Sequence, residues 1–189
     1  RQVSRLGVVG SSEITAETIE KSFKRFLSLL EKHFSIFPFL LGKRPASADF
    51  AMFGQLSQLV GFDPTSRKIA HEISPRTVAW VSLMEDLSGL EVSDQDWILD
   101  EVPESLSNIF KEIGKVYAPA LLANKEATLK DEKTWKAFID DSEWTQQTFP
   151  YQVKCLNWIN EEFEKLDNKE KNKVNLFLKK NNCEKLLKN

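Results

Sequence analysis

Apolar residues recur along most of this 189-residue chain at steps of three and four. The clearest stretch is 15–34. There Ile19, Phe23, Phe26, Leu27, Leu30 and Phe34 share one side of a helix, while Lys21, Lys24, Arg25, Glu31 and Lys32 fall mostly on the other. That is the stripe of a helix with one buried face. Thr15 is placed to cap its start, and Glu17 sets negative charge at the positive end of the dipole. The same period predicts a helix over 46–60 with Phe50, Phe53, Leu56 and Leu59 as its stripe and Val60 beside it. Its other residues, including Ala48, Ala51, Gly54 and Ser57, are small enough for neighbouring helices to approach closely. A central position is expected for it.

Gly61-Phe62-Asp63-Pro64 stops the chain and restarts it as a short helix over 65–72. Ser74-Pro75 opens another, with Ser as N-cap and Pro at the first helical position, and Ser88-Gly89 closes it. The stretch 90–102 reads as irregular, anchored by Trp97 and Ile98. Pro103 starts a helix to about residue 123, kinked near its end by Pro119. Then the period changes. Residues 134–138 and 143–149 pair as two short strands around the turn-forming Asp140-Asp141-Ser142. Helices return over 150–166, on Val153, Leu156, Ile159, Phe163 and Leu166, and over 168–180, before a last turn at Leu186 and Leu187. No strand–helix–strand alternation appears, so a doubly wound sheet is excluded.

The expected fold is all-α: a multi-helix bundle with at most one short β-hairpin near 134–149. A single domain is expected. Within it, 1–12 form the end of a preceding helix and a loop, 13–130 the core helices, and 131–189 the hairpin and C-terminal helices.

Composition removes several function classes. Seven Gly and seven Pro are too few for a collagen, a linker or a turn-rich sandwich, and 13 Phe with 5 Trp are too many for a disordered chain. The longest nearly apolar run, 34–41, is too short to span a bilayer, and no signal-peptide pattern follows Arg1. A net charge of −2 predicts no broad attraction to nucleic acid. Neither nucleic acid nor a membrane is an expected partner. Cys155 and Cys183 make neither a metal-ligand pair nor a disulfide scaffold, which points to a reducing, cytoplasmic setting.

The chain is also poor in reactive constellations. Gly7-Val8-Val9-Gly10-Ser11-Ser12 lacks the glycine spacing and the Lys-Ser/Thr pair of a phosphate loop. His71-Glu72 opens like a zinc-protease motif, but Pro75 stands where the second His belongs. His33 and His71 are the only histidines, so no metal site is expected, and His33 reads as a surface or packing residue. Cys155, four residues before Ile159, reads as a buried small hydrophobe on its face. Tyr117 and Tyr151 read as anchors with one polar end, suited also to lining a pocket. No catalytic, cofactor-binding or metal-ligating residue is assigned.

One segment is recognisable. Phe39-Leu40-Leu41-Gly42-Lys43-Arg44-Pro45-Ala46-Ser47-Ala48-Asp49-Phe50-Ala51-Met52-Phe53-Gly54-Gln55-Leu56 resembles the central segment of the C-terminal helical domain of glutathione S-transferases. So do Phe62-Asp63-Pro64-Thr65, Ser74-Pro75-Arg76-Thr77-Val78-Ala79-Trp80, Asp86-Leu87-Ser88-Gly89-Leu90 and Thr148-Phe149-Pro150-Tyr151-Gln152-Val153-Lys154-Cys155-Leu156, which look like one bacterial subgroup of transferase-like proteins. In the family a hydroxyl three residues before the Asp completes an N-terminal capping box. Here that position is Ala46, and Ser47 is the nearest hydroxyl. Either the helix starts one residue later, with Ser47 and Asp49 as structural caps, or Asp49 caps without its usual partner.

The resemblance implies a thioredoxin-like domain ahead of this one, holding glutathione and the catalytic group. No such segment is found here, and Arg1-Gln2-Val3-Ser4-Arg5-Leu6 looks like the tail of a preceding helix. The chain is therefore read as a fragment, processed product or truncated reading frame. It is not catalytic by itself and holds no cofactor, although glutathione is expected for the intact protein. A small hydrophobic electrophile and a second copy of the chain are the partners this reading allows. The alternative is a stand-alone helical interaction module of the same fold.

Overall fold

The computed structural model describes residues 3–98 and 101–187. Arg1 and Gln2, part of the expected helix tail, lie outside the described residues, as do 99–100 within the stretch expected to be irregular; Val3–Val9 is a 3-10 helix. The architecture is all-α with one antiparallel hairpin, as the periodicity requires. Helices α1 (Ala16–Phe34), α2 (Ser47–Gly61), α3 (Pro64–Ile73), α4 (Pro75–Glu85) and α5 (Glu104–Glu112) come first. A widened turn at Ile113–Tyr117 leads into α6 (Ala118–Leu129). Strands β1 (Thr134–Ile139) and β2 (Ser142–Gln147) follow, then α7 (Pro150–Glu164) and α8 (Asn168–Lys180). The chain forms two compact units, one from the segment up to Ser22 together with Phe110 onward, the other from Phe23–Ile109.

In the unit formed by Phe23–Ile109, α2, α3 and α4 contact one another. Each start has a chemical cause. The Asp63 carboxylate accepts from the backbone N–H groups of Thr65 (3.1 Å) and Ser66 (2.9 Å), capping α3. Ser74 caps α4 through Thr77 N–H, and its own hydroxyl donates to Glu31 at 3.0 Å. Glu31 also accepts from the backbone N–H and the guanidinium of Arg76. Burial works to raise the Glu31 pKa, but these donors hold it below the usual carboxylate range. An acid of α1 thereby satisfies one of the free N–H groups at the start of α4, that of Arg76. Phe34 and Trp80 stack with ring centroids 5.1 Å apart.

In the other unit the hairpin packs on α6 through Ala127, Trp135 and Ile139. Its two-residue turn, Asp140-Asp141, has positive φ at both positions, 47° and 68°. That is the twist a tight hairpin needs. Lys115, in the widened turn, reaches the Asp140 carboxylate at 2.6 Å. Pro119 does not end the helix. It lacks an N–H and would crowd the carbonyl of Lys115 in a regular turn. The backbone widens instead, Ala118 N–H bonding Ile113 five residues back, and the helix runs on to Leu129. Gly114 sits in this turn because a side chain there would stand 2.4 Å from the Asn181 carbonyl.

Several helices are rotated from the orientation their apolar stripes predict. In α2, Leu56 and Val60 are buried with Asp49, whereas Phe50 and Leu59 are exposed, together with Ala48, Ala51 and Gly54. The small-residue face is thus open rather than central. In α7, Val153 and Leu156 are buried with Asn160, while Ile159 is exposed and Cys155 only half-buried. Ile19 of α1 is exposed as well. A buried polar group takes the inward position in both α2 and α7.

Replacing Asp141, the second turn residue, by Gly relieves its left-handed strain without touching the Lys115–Asp140 pair. Asp141→Gly is expected to stabilise the protein by about 0.5 kcal/mol, read as a higher urea midpoint with unchanged slope.

Candidate functional site

The segment singled out by the sequence folds around two buried polar residues, His33 and Asp49, both with no exposed surface. Asp49 is the third residue of α2. One carboxylate oxygen accepts from Ala46 N–H at 2.8 Å and the other from Leu40 N–H at 2.9 Å. The N-cap is Ala46, not Ser47. Ser47 is the first helical residue and is exposed. Ala46 has no side-chain acceptor, so its carbonyl takes the Asp49 N–H at 2.9 Å. Asp49 therefore caps without a hydroxyl partner, and its second oxygen ties down the preceding connector. The Cβ that any residue other than Gly would place at position 42 would stand 2.1 Å from the Asp96 carbonyl, so that loop also closes by backbone contact.

His33 completes the arrangement. Its Nε2 lies 3.2 Å from the Phe39 carbonyl and its Nδ1 3.0 Å from the Ser105 hydroxyl. A carbonyl only accepts, so Nε2 carries the proton and Nδ1 accepts from Ser105. Burial pushes the His33 pKa below its ordinary value, against the pull of the Phe39 and Leu40 backbone and of Asp49. Burial raises the Asp49 pKa, opposed by the Ala46 and Leu40 N–H groups and by His33. Serine, histidine and aspartate are thus close, but not as a relay. The imidazole N–H goes to a carbonyl, and the carboxylate goes to two backbone amides. The cluster fastens the 35–46 connector to α1, α2 and the first turn of α5.

The second candidate is the outer face of α7. Tyr151 and Trp158 meet edge to face at 6.2 Å, Phe149 lies 6.3 Å from Tyr151, and Lys154 stands over the Trp158 ring at 5.0 Å. All three aromatics are about half exposed, as is Tyr117 in the widened turn. Burial raises the Tyr117 phenol pKa, with Cys155 adding to the effect. The junction before α7 is held by Asn124, a fully buried residue the sequence did not reveal. Its amide accepts from Phe149 N–H at 2.7 Å and donates to the Phe149 carbonyl at 3.0 Å. A helix-spaced Asn among Leu121 and Ala127 was the available signal.

Among the described residues, no three His, Cys, Asp or Glu side chains gather as a metal site, and no helix is long and apolar enough to cross a membrane. Cys155 and Cys183 are free thiols, and burial raises the pKa of Cys183. Comparisons with family models, curated proteins and solved structures find no match for this chain.

Removing the Asp49 carboxylate strands two N–H groups. Asp49→Ala is expected to cost about 3 kcal/mol in urea unfolding, and Ser47→Ala less than about 0.5 kcal/mol. His33 adds a pH dependence. Its folded pKa lies below its unfolded value, so the unfolded chain takes up the proton first. Stability from this group is complete above about pH 6.5 and falls as the pH drops below that value. Asp49, with its folded pKa raised, acts in the opposite sense at lower pH, gaining protons in the folded state first. Melting between pH 7 and 5 should therefore show a decline that His33→Gln reduces.

Proposed function

We propose that this chain is the helical, acceptor-side part of a glutathione transferase-like protein. The observation that carries the reading is the Asp49 clamp. A Gly-containing basic loop runs into a helix whose third residue is a buried acid, and that acid holds the backbone at Ala46 and Leu40. The Ala46 contact is the acid's half of the capping box that the resemblance of the 39–56 segment implies. In this reading a thioredoxin-like domain binds glutathione and lowers its thiol pKa. The helical part offers apolar surface to a small hydrophobic electrophile and is not catalytic alone. Two free cysteines suit a reducing, cytoplasmic setting.

The stand-alone interaction module remains as a second reading because of one feature, the exposed Phe149, Tyr151 and Trp158 on and beside α7. Aromatic residues with polar tips are enriched at protein interfaces.

Thermal unfolding separates the two. A ligand that binds only the folded chain raises its midpoint. The transferase reading expects a saturable rise with S-(2,4-dinitrophenyl)glutathione, whose aromatic group mimics the conjugated electrophile, and none with glutathione alone. No rise with the conjugate, together with concentration-dependent self-association by light scattering that Trp158→Ala abolishes, would replace it with the interaction reading.

A further inference from the structure

We infer that the outer face of α8 is a docking surface for an anionic phospholipid membrane. At about 100° per residue, Lys169, Lys173, Leu176 and Lys180 fall within about 60° of one another and form a row about 16 Å long. All four are exposed, as is Lys179 at the edge of the row, and Leu176 is 71% exposed. Leu178, the buried residue of the helix, points the opposite way. Among the described residues, none of these four lysines has an ion-pair partner, whereas Lys165 and Lys171 pair with Glu162 and Glu164. Asp167 and Glu170 are engaged with each other's backbone in the capping box of α8. Helix stability does not account for the row. Lys169 stands in the first turn, where the dipole disfavours a cation, and Leu176 lies among charges in water.

The chemistry of the row selects a lipid surface. Four unpaired ammonium groups call for an anionic partner. The row holds no arginine for bidentate phosphate contacts and no aromatic for stacking bases, so a nucleic acid would find only point charges and would leave Leu176 unused. Lysine is depleted at protein interfaces. A membrane of acidic lipids uses both kinds of side chain. Long lysine stems reach phosphate and carboxylate headgroups in any arrangement, while the leucine between them enters the boundary of the acyl chains. The expectation of no membrane partner rests on the net charge of −2 and on the lack of a spanning run. Neither bears on contact through one face, which acts within a Debye length of about 8 Å at physiological salt. The surface uses none of the groups in the transferase reading, and neither stands or falls with the other.

The test is sedimentation of the full chain with vesicles. Phosphatidylcholine vesicles containing phosphatidylserine should carry the protein down, half-maximally near about 1 mM lipid, and pure phosphatidylcholine should not. Lys169→Gln, Lys173→Gln and Lys180→Gln should each weaken partitioning about fivefold, and the triple variant about a hundredfold. The single variants keep the test open if the triple variant does not fold, which its far-UV circular dichroism reports. Leu176→Ala, with every charge in place, should weaken it about threefold. A control triple, Lys68→Gln, Lys130→Gln and Lys136→Gln, removes the same net charge from exposed, ion-paired positions and should leave binding within about twofold. No sedimentation at about 5 mM lipid overturns the proposal, as does an equal loss in the control triple. Binding that Leu176→Ala leaves unchanged and that polyuridylic acid matches would make α8 a surface for polyanions in general, and also overturns it.

Discussion

Buried polar side chains that grip the backbone of connecting segments govern this structure. Asp49 takes the N–H groups of Ala46 and Leu40, and His33 takes the Phe39 carbonyl. Asn124 takes both the N–H and the carbonyl of Phe149, and Asn160 binds the Leu186 carbonyl. Connectors have unpaired backbone groups, and burying those groups unpaired is costly. An inward-facing polar residue solves that problem only in one orientation of its helix. It therefore fixes helix rotation as well as loop position.

The consequence is visible on the surface. With Asp49 turned inward on α2, Phe50 and Leu59 face solvent beside Ala51 and Gly54. With Asn160 inward on α7, Ile159 does so. Apolar residues that the stripe assigns to the core become surface. The two functional readings proposed for the chain draw on the results of this one effect. The transferase reading draws on the clamp itself, and the interaction reading on the aromatic face left outside.

Around the hairpin the governing constraint is backbone geometry. Pro119 forbids a regular turn at Lys115, the helix widens there, and the widened turn carries Lys115 to the hairpin tip at Asp140. Gly114 allows the Asn181 carbonyl to approach the same turn. In this unit the helix that runs on past its proline meets a strand whose Trp135 packs inward with Ala127 and Ile139.

Element types and most boundaries were legible in the chain itself. Helix periods at 19–34, 153–166 and 174–178, the Ser74-Pro75 start and the Asp140-Asp141 turn depend on local steric and capping rules. The importance of Asp49 was also legible, from its place after the Gly42 loop, although the residue it caps through was left open between Ala46 and Ser47. Helix rotation, the widened turn at 113–117, the extension of α6 from 123 to Leu129 and the partners of His33 and Asn124 belonged to tertiary structure. Periodicity counts apolar side chains, whereas these features depend on which distant carbonyl or N–H needs a partner. His33 meets Ser105 across 72 positions, and no local pattern encodes that distance.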